Sequence, residues 1–248
     1  MTATLLLTII AAMMPAMAQS YKAPRTWGDQ PDLQGIWQVQ NTANYDLEPH
    51  TATLGVPATR GVIVDPADGK IPYKPSALAK KQENLQNRFT ADPVAKCYMP
   101  GIPRLTYMPY PLQIFQTPKF VIIASEYIHN VRTIYLDGSP HLDGVDFWNG
   151  DSRGHWEGES LVVDVAGFND QTWFDNAGNY HSDALHVVER FTRTSPDTIT
   201  YEATIEDPNT FTKPWKVSMP LVQNKEKNFR LLEYECHSYR EDAAKMGK

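Results

Sequence analysis

The chain has 248 residues, of which 42% are apolar and 21% charged. Those proportions fit one folded core, or at most two, and exclude a disordered tail protein or a collagen-like fibre. A formal charge of −6 gives no basic surplus to neutralise phosphates, so no nucleic-acid partner is expected.

Residues 1–18 carry no charged side chain, and 5–14 are almost continuously apolar. Ala16-Met17-Ala18 then offers a small-x-small cleavage pattern ahead of Gln19. The apolar run is too short to span a bilayer, so it reads as a secretory signal peptide. The expected location is periplasmic or secreted. No later stretch is long and apolar enough for a membrane helix, so membrane insertion is not expected. Only two cysteines occur, Cys97 and Cys236. An oxidising compartment favours one disulfide between them, and two buried free thiols are the alternative.

Residues 19–118 read as an irregular N-terminal part, packed on the rest of the same domain. One helix is predicted over 76–89, with Ser76 as N-cap and Leu78, Leu85 and Phe89 at helical spacing. Residues 92–118 hold six prolines among several aromatic residues, which argues for an ordered loop rather than a central strand. Short early runs at 36–40 and 61–65 could add strands. Residues 119–248 form the main β region. Strands are predicted at 120–128, 131–136, 156–165, 184–193, 199–206, 215–221 and 229–236, with turn residues between them. So many short antiparallel strands point to a barrel or a sandwich. A barrel is preferred because closure hides the edges.

Alternation assigns the faces of these strands. Ile199, Tyr201, Ala203 and Ile205 share an apolar face. Leu185, Val187, Glu189 and Phe191 share another, so Glu189 is expected to point inward. Phe120, Ile122, Ala124, Glu126 and Ile128 repeat the pattern, with Glu126 among apolar neighbours. A buried carboxylate must pair, bind a ligand or become neutral. One reading of Glu189 is a structural pair with Arg132, Arg153 or Arg190. The other is a polar cluster in a ligand cavity.

The seven histidines form no His-x-His or His-Glu-x-x-His pattern, so no metal site is expected. His181-Ser182-Asp183 resembles a hydrolase triad only when written in a row, because strand neighbours point apart and no Gly-x-Ser-x-Gly elbow is present. The polar loops 146–151 and 169–179 could rim a mouth or bind calcium, although neither has EF-hand spacing. No Gly-x-Gly-x-x-Gly turn and no phosphate-binding loop appears, so no cofactor is expected.

Leu33-Gln34-Gly35-Ile36-Trp37 resembles the Gly-x-Trp strand of lipocalin-like barrels. The runs from Gly154 to Asp164 and from His181 to Phe191 are more distinctive. With Ile205-Glu206-Asp207-Pro208 and Lys213-Pro214-Trp215, they resemble a broad family of secreted bacterial proteins of unassigned function. That resemblance spans most of the chain after residue 18. It implies a mainly β fold, an antiparallel calycin-like β-barrel, and it transfers no catalytic residues.

Two functions compete. One is a cofactor-independent acid/base enzyme, of lyase, isomerase or hydrolase type, acting on a small apolar or aromatic molecule in the barrel cavity. Glu189 would be the acid or base and His181 or Asp183 its partner. Glu126, Arg132, Tyr135, Arg153, Trp156 and Tyr201 would contact the substrate. The other is a periplasmic protein that binds the same class of molecule without chemistry, since a barrel alone does not decide between them. The residues do not specify an oligomeric state.

Overall fold

The computed structural model describes residues 21–246, so the segment read as a signal peptide lies outside the described residues. Ten strands form one sheet: β1 (Gly35–Val39), β2 (Ile63–Asp65), β3 (Leu112–Gln116), β4 (Phe120–Ser125), β5 (Val131–Tyr135), β6 (Asp151–Glu157), β7 (Ser160–Ala166), β8 (His186–Ser195), β9 (Thr198–Glu206) and β10 (Trp215–Gln223). Pairing of β1 with β10, through Trp37 opposite Gln223 and Val39 opposite Leu221, closes nine of them into a barrel. β2 is the extra strand, laid against the first half of β10. The architecture is therefore mainly β and consistent with a calycin-like barrel. Every pairing is antiparallel except β5 with β6, which run parallel.

The predicted faces of β8 and β9 match the structure. Ile199, Tyr201, Ala203 and Ile205 are buried, and so are Leu185, Val187, Glu189 and Phe191. With Trp37, Trp215 and Leu221 they fill the barrel with side chains. β4 takes the opposite face from the one expected. Val121, Ile123 and Ser125 are buried, while Phe120, Ile122 and Ala124 are only half-buried. Both faces of this run are apolar, so alternation could not choose between them. The pairing of Ile123 with Ile114 and with Arg132 settles it. Glu126 falls beyond the end of the strand.

Three further expectations are corrected. The proline-rich 92–118 segment does contain a strand, β3, in the proline-free gap between Pro111 and Pro118. The run predicted at 156–165 is one arm and the turn of a hairpin. Glu157 pairs with Ser160 across Gly158, whose positive φ of 58° suits a two-residue turn. The predicted last strand, 229–236, is irregular apart from a bridge between Tyr234 and Tyr127, and Cys236 opens helix α3 (Cys236–Met246).

The predicted helix is α1 (Pro75–Gln86), followed by the single turn α2 (Arg88–Ala91). Its N-cap is Lys74 rather than Ser76, because Pro75 at the first helical position sets the start. Ala77 and Asn84 are buried, whereas Leu78 and Phe89 are exposed. Asn84 donates to the Gly178 carbonyl at 3.3 Å. Gly178 has a φ of 82°, and a Cβ there would lie 2.6 Å from the Leu85 nitrogen, so only glycine lets the helix seat.

Polar side chains bind the N-terminal part to the barrel. Arg104, almost fully buried, makes a bidentate pair with Asp92 at 2.8 and 2.9 Å and also donates to Asn44 and Asn176. Gln116 on β3 accepts from the Leu33 N–H at 2.6 Å and donates to the Pro31 carbonyl at 3.0 Å.

Cys97 and Cys236 form a disulfide, with Cα atoms 5.6 Å apart. It ties a loop to the start of a helix rather than to a strand. Tyr234, just ahead of Cys236, packs its ring 4.7 Å from Tyr110 and 5.6 Å from Tyr127. Among the described residues no helix is long and apolar enough to cross a membrane. Replacing both cysteines by alanine should lower stability by roughly 4–5 kcal/mol in the chain-entropy model, given a separation of 139 residues. Denaturant unfolding of the variant beside the oxidised protein measures this, and an unchanged midpoint would contradict it.

Candidate functional site

Parallel strands cannot be joined by a tight turn, so β5 must reach β6 through a crossover. Asp137-Gly138 breaks β5, and residues 136–150 make that connection. The two strands share only two paired positions, Ile134 with Ser152 and Tyr135 with Arg153. Gly154 permits even this approach, since a Cβ there would lie 2.6 Å from the Ile134 side chain. Below those rungs the strands part, and a cleft of about 600 Å³ opens over the seam. Tyr135, Trp148, Leu142 and Met99 give it an apolar, aromatic lining, with Arg132, Ser152 and Arg153 among its polar groups. The expectation that loop 146–151 rims a mouth agrees with this geometry. The cleft sits at the seam and not in the barrel lumen, where a cavity was expected.

Arg132 connects the cleft to the interior. It is a buried residue of β5 that also contributes to the cleft wall. Its Nη1 and Nη2 donate to the two oxygens of Glu189, the former at 3.1 Å, and its Nε donates to the Ser152 hydroxyl at 3.0 Å. Tyr201 donates its hydroxyl to Glu189 Oε1 at 2.8 Å. Burial, then the adjacent Glu189 carboxylate, pushes the Tyr201 phenol well above its ordinary range, so it stays a donor. Glu189 is fully buried, and both its oxygens are engaged within this cluster. The structural-pair reading of Glu189 therefore describes its contacts, with Arg132 as the partner.

The remaining predicted residues separate. Arg153 and Tyr135 do meet at the cleft, the guanidinium 4.8 Å over the ring. Arg153 also bonds Asp151 at 2.8 Å and the Pro140 carbonyl at 2.9 Å. Trp156 lines another cleft, of about 340 Å³, with Trp27 and His155. Glu126 lies in an open groove beside His129 and accepts from the Leu232 N–H at 2.8 Å. Asp183 is exposed, so it does not share the inward face of Glu189. His181 is buried, but its contacts are Thr172 Oγ1 at 2.6 Å and the Ser182 carbonyl at 2.8 Å. The rings of Phe168 and Phe174 flank it. Since a carbonyl only accepts, Nδ1 carries the proton, and Nε2 accepts from the threonine hydroxyl.

Sequence reasoning missed Ser152, and it named loop 146–151 without singling out Trp148 and Asp151. The signal for Ser152 was the hairpin hidden in 151–166, which places it beside Arg132. Asp175, in the 169–179 loop, accepts N–H bonds from Leu47, Ala177 and Asn179 at 3.0–3.2 Å. Its oxygens organise the loop itself. His129, Glu233 and Glu235 bring three ligand atoms within 4.8 Å of one another, all on exposed residues. No protein-family model and no curated protein matches the chain. The fold and the cleft are compatible with binding a small molecule.

Two outcomes follow from these contacts. Glu189→Gln leaves Arg132 buried and short of its counter-charge, and should cost about 3–5 kcal/mol. The paired replacement Arg132→Met with Glu189→Leu should recover most of that loss, as read from thermal melting. The second concerns His181. Burial lowers its pKa from an ordinary 6.5, against the raising effect of the Ser182 carbonyl. Above that value both folded and unfolded forms are neutral. As pH falls below it, the unfolded chain takes up a proton that the folded chain refuses, so the contribution to stability declines. Unfolding midpoints measured from about pH 7.5 down to about pH 5.5 should fall more steeply for wild type than for His181→Gln.

Proposed function

We propose that the protein binds a small, flat, largely apolar or aromatic molecule in the cleft at the β5–β6 seam and carries out no chemistry on it. One observation carries this reading: the fully buried carboxylate of Glu189 is saturated by Arg132 and Tyr201, while Arg132 itself contributes to the cleft wall. A general acid or base needs an oxygen facing its substrate, and Glu189 has both oxygens bound within the protein. Arg132 makes three hydrogen bonds, which occupy only part of the guanidinium donor set. Its charge is answered by Glu189, so it serves as an oriented donor more than as an anion trap. The favoured ligand is an aromatic body bearing one carbonyl, carboxylate or hydroxyl acceptor, stacked on Trp148 and Tyr135.

The disulfide and the apolar N-terminal segment support a site of action in the periplasm or outside the cell. Membership of the secreted bacterial family with lipocalin-like barrels belongs to the same proposal, supported by the barrel closure through Trp37.

The test is a titration with naphthalene derivatives that carry a carboxamide, a carboxylate or no polar group, followed by tryptophan fluorescence. The probe without an acceptor should bind about ten-fold more weakly, as expected for one hydrogen bond to a charged donor. Trp148→Leu should weaken every probe by a similar factor without shifting the melting temperature. Equal binding of all probes, or no effect of Trp148→Leu, would sink the assignment.

A further inference from the structure

A groove of about 320 Å³ opens between α1, the loop that carries Lys96 and Tyr98, and the 169–179 loop. Its volume falls within the roughly 300–1,000 Å³ range of small-molecule sites. Trp148 belongs both to this groove and to the cleft. Tyr98 is 51% exposed and packs its ring 5.1 Å from that of Trp148. Two other side chains of the lining are more than nine-tenths buried. They are Asn84 of α1, 3% exposed, and Trp173 of the 169–179 loop, 8% exposed.

Each of these buried side chains keeps one polar atom unused. Asn84 Nδ2 donates to the Gly178 carbonyl at 3.3 Å. A carbonyl only accepts, so the orientation of the amide is fixed and Oδ1 is the acceptor left over. The Trp173 indole N–H meets no acceptor among the described residues. Neither atom is sealed inside the protein, where going unpaired would cost free energy. Both residues line the groove, so it holds one acceptor and one donor fixed in place by burial. A hydroxyl group suits both, because it gives one hydrogen bond and takes others. Asn87 and Gln171 add further polar groups at the rim. Lys80 and Lys96 are balanced there by Glu83 and Asp170, so the lining gives an ionic ligand no advantage.

We propose that this groove binds one neutral sugar ring, with hydroxyls on Asn84 Oδ1 and Trp173 Nε1 and the C–H face of the ring against Tyr98. A pyranose carries hydroxyls around its edge and C–H bonds across its faces, which matches a polar groove with an aromatic flank. The C–H bonds are slightly positive and pack on the electron-rich face of an aromatic ring. A peptide amide also offers one donor and one acceptor, but it lacks the further hydroxyls that Asn87 and Gln171 would meet. The sugar site does not depend on the binding of an aromatic molecule in the cleft.

The full chain is titrated with methyl β-glucopyranoside and methyl β-galactopyranoside, followed by saturation-transfer NMR and calorimetry. Binding of at least one of them is expected. The Trp173 indole N–H resonance of the wild type should move during that titration, which gives a readout independent of any variant's folding. Trp173→Phe keeps most of the ring and loses the N–H, and should weaken binding by roughly five- to ten-fold. Tyr98→Leu should weaken it by a similar factor without shifting the melting temperature. Glucuronate and glucosamine, one anionic and one cationic, should bind no more tightly than the neutral glucoside. Failure of both pyranosides to bind overturns the proposal and leaves the two polar atoms to water. Binding that neither moves the Trp173 resonance nor weakens in Trp173→Phe overturns it for this groove. Binding of N-methylacetamide as tight as that of the sugars overturns the class of ligand.

Discussion

The barrel is organised around a guanidinium and a carboxylate that have both left water. Desolvating either alone would be prohibitive, so each requires the other in place. Arg132 comes from β5 and Glu189 from β8, with β6 and β7 between them in the sheet. Ser152 and Tyr201 complete the set from β6 and β9. Four strands are thus held in one register by a demand for pairing that no apolar substitution of a single member could meet. The same pair borders the cleft, since Arg132 contributes to its wall while its charge is answered by Glu189 in the interior.

A second buried ion pair does comparable work for the N-terminal part. Arg104 and Asp92 lie close together in sequence, but Asn44 and Asn176, which also contact the arginine, lie far apart. Together with the two-way bond of Gln116 to the backbone at Pro31 and Leu33, they make the irregular N-terminal part of the chain part of the barrel wall. It supplies β1 and β3, without which the ring would not close.

Much of this was legible in the sequence. Strict alternation in β8 and β9 exposed their inner faces and placed Glu189 inside, and two lone cysteines announced their own pairing. What escaped did so for physical reasons. In β4 both faces are apolar, so no period-two signal distinguished inside from outside, and Glu126 was assigned inward. In β3 the flanking prolines hid five residues free of proline. The hairpin at Gly158 looks like one strand in the sequence because its arms are both rich in β-forming residues. The cleft itself depends on a parallel pairing, which no local pattern encodes: it arises from where β6 returns relative to β5. Asp183 and His181 are expected beside Glu189 as its partners, yet β8 begins only at His186, and a turn before it leaves Asp183 exposed and His181 bound to Thr172.

That parallel pairing leaves an unfinished closure. A complete ring of hydrogen bonds has no free backbone to offer a neighbouring molecule. Here β5 keeps part of its length beyond the two shared rungs, and Val131 at its start is exposed. Residues 136–150 lie across this gap. They therefore stand beside the unpaired edge as well as lining the cleft. Shortening them would bare strand edges on both sides, and the barrel would become prone to edge-to-edge oligomers.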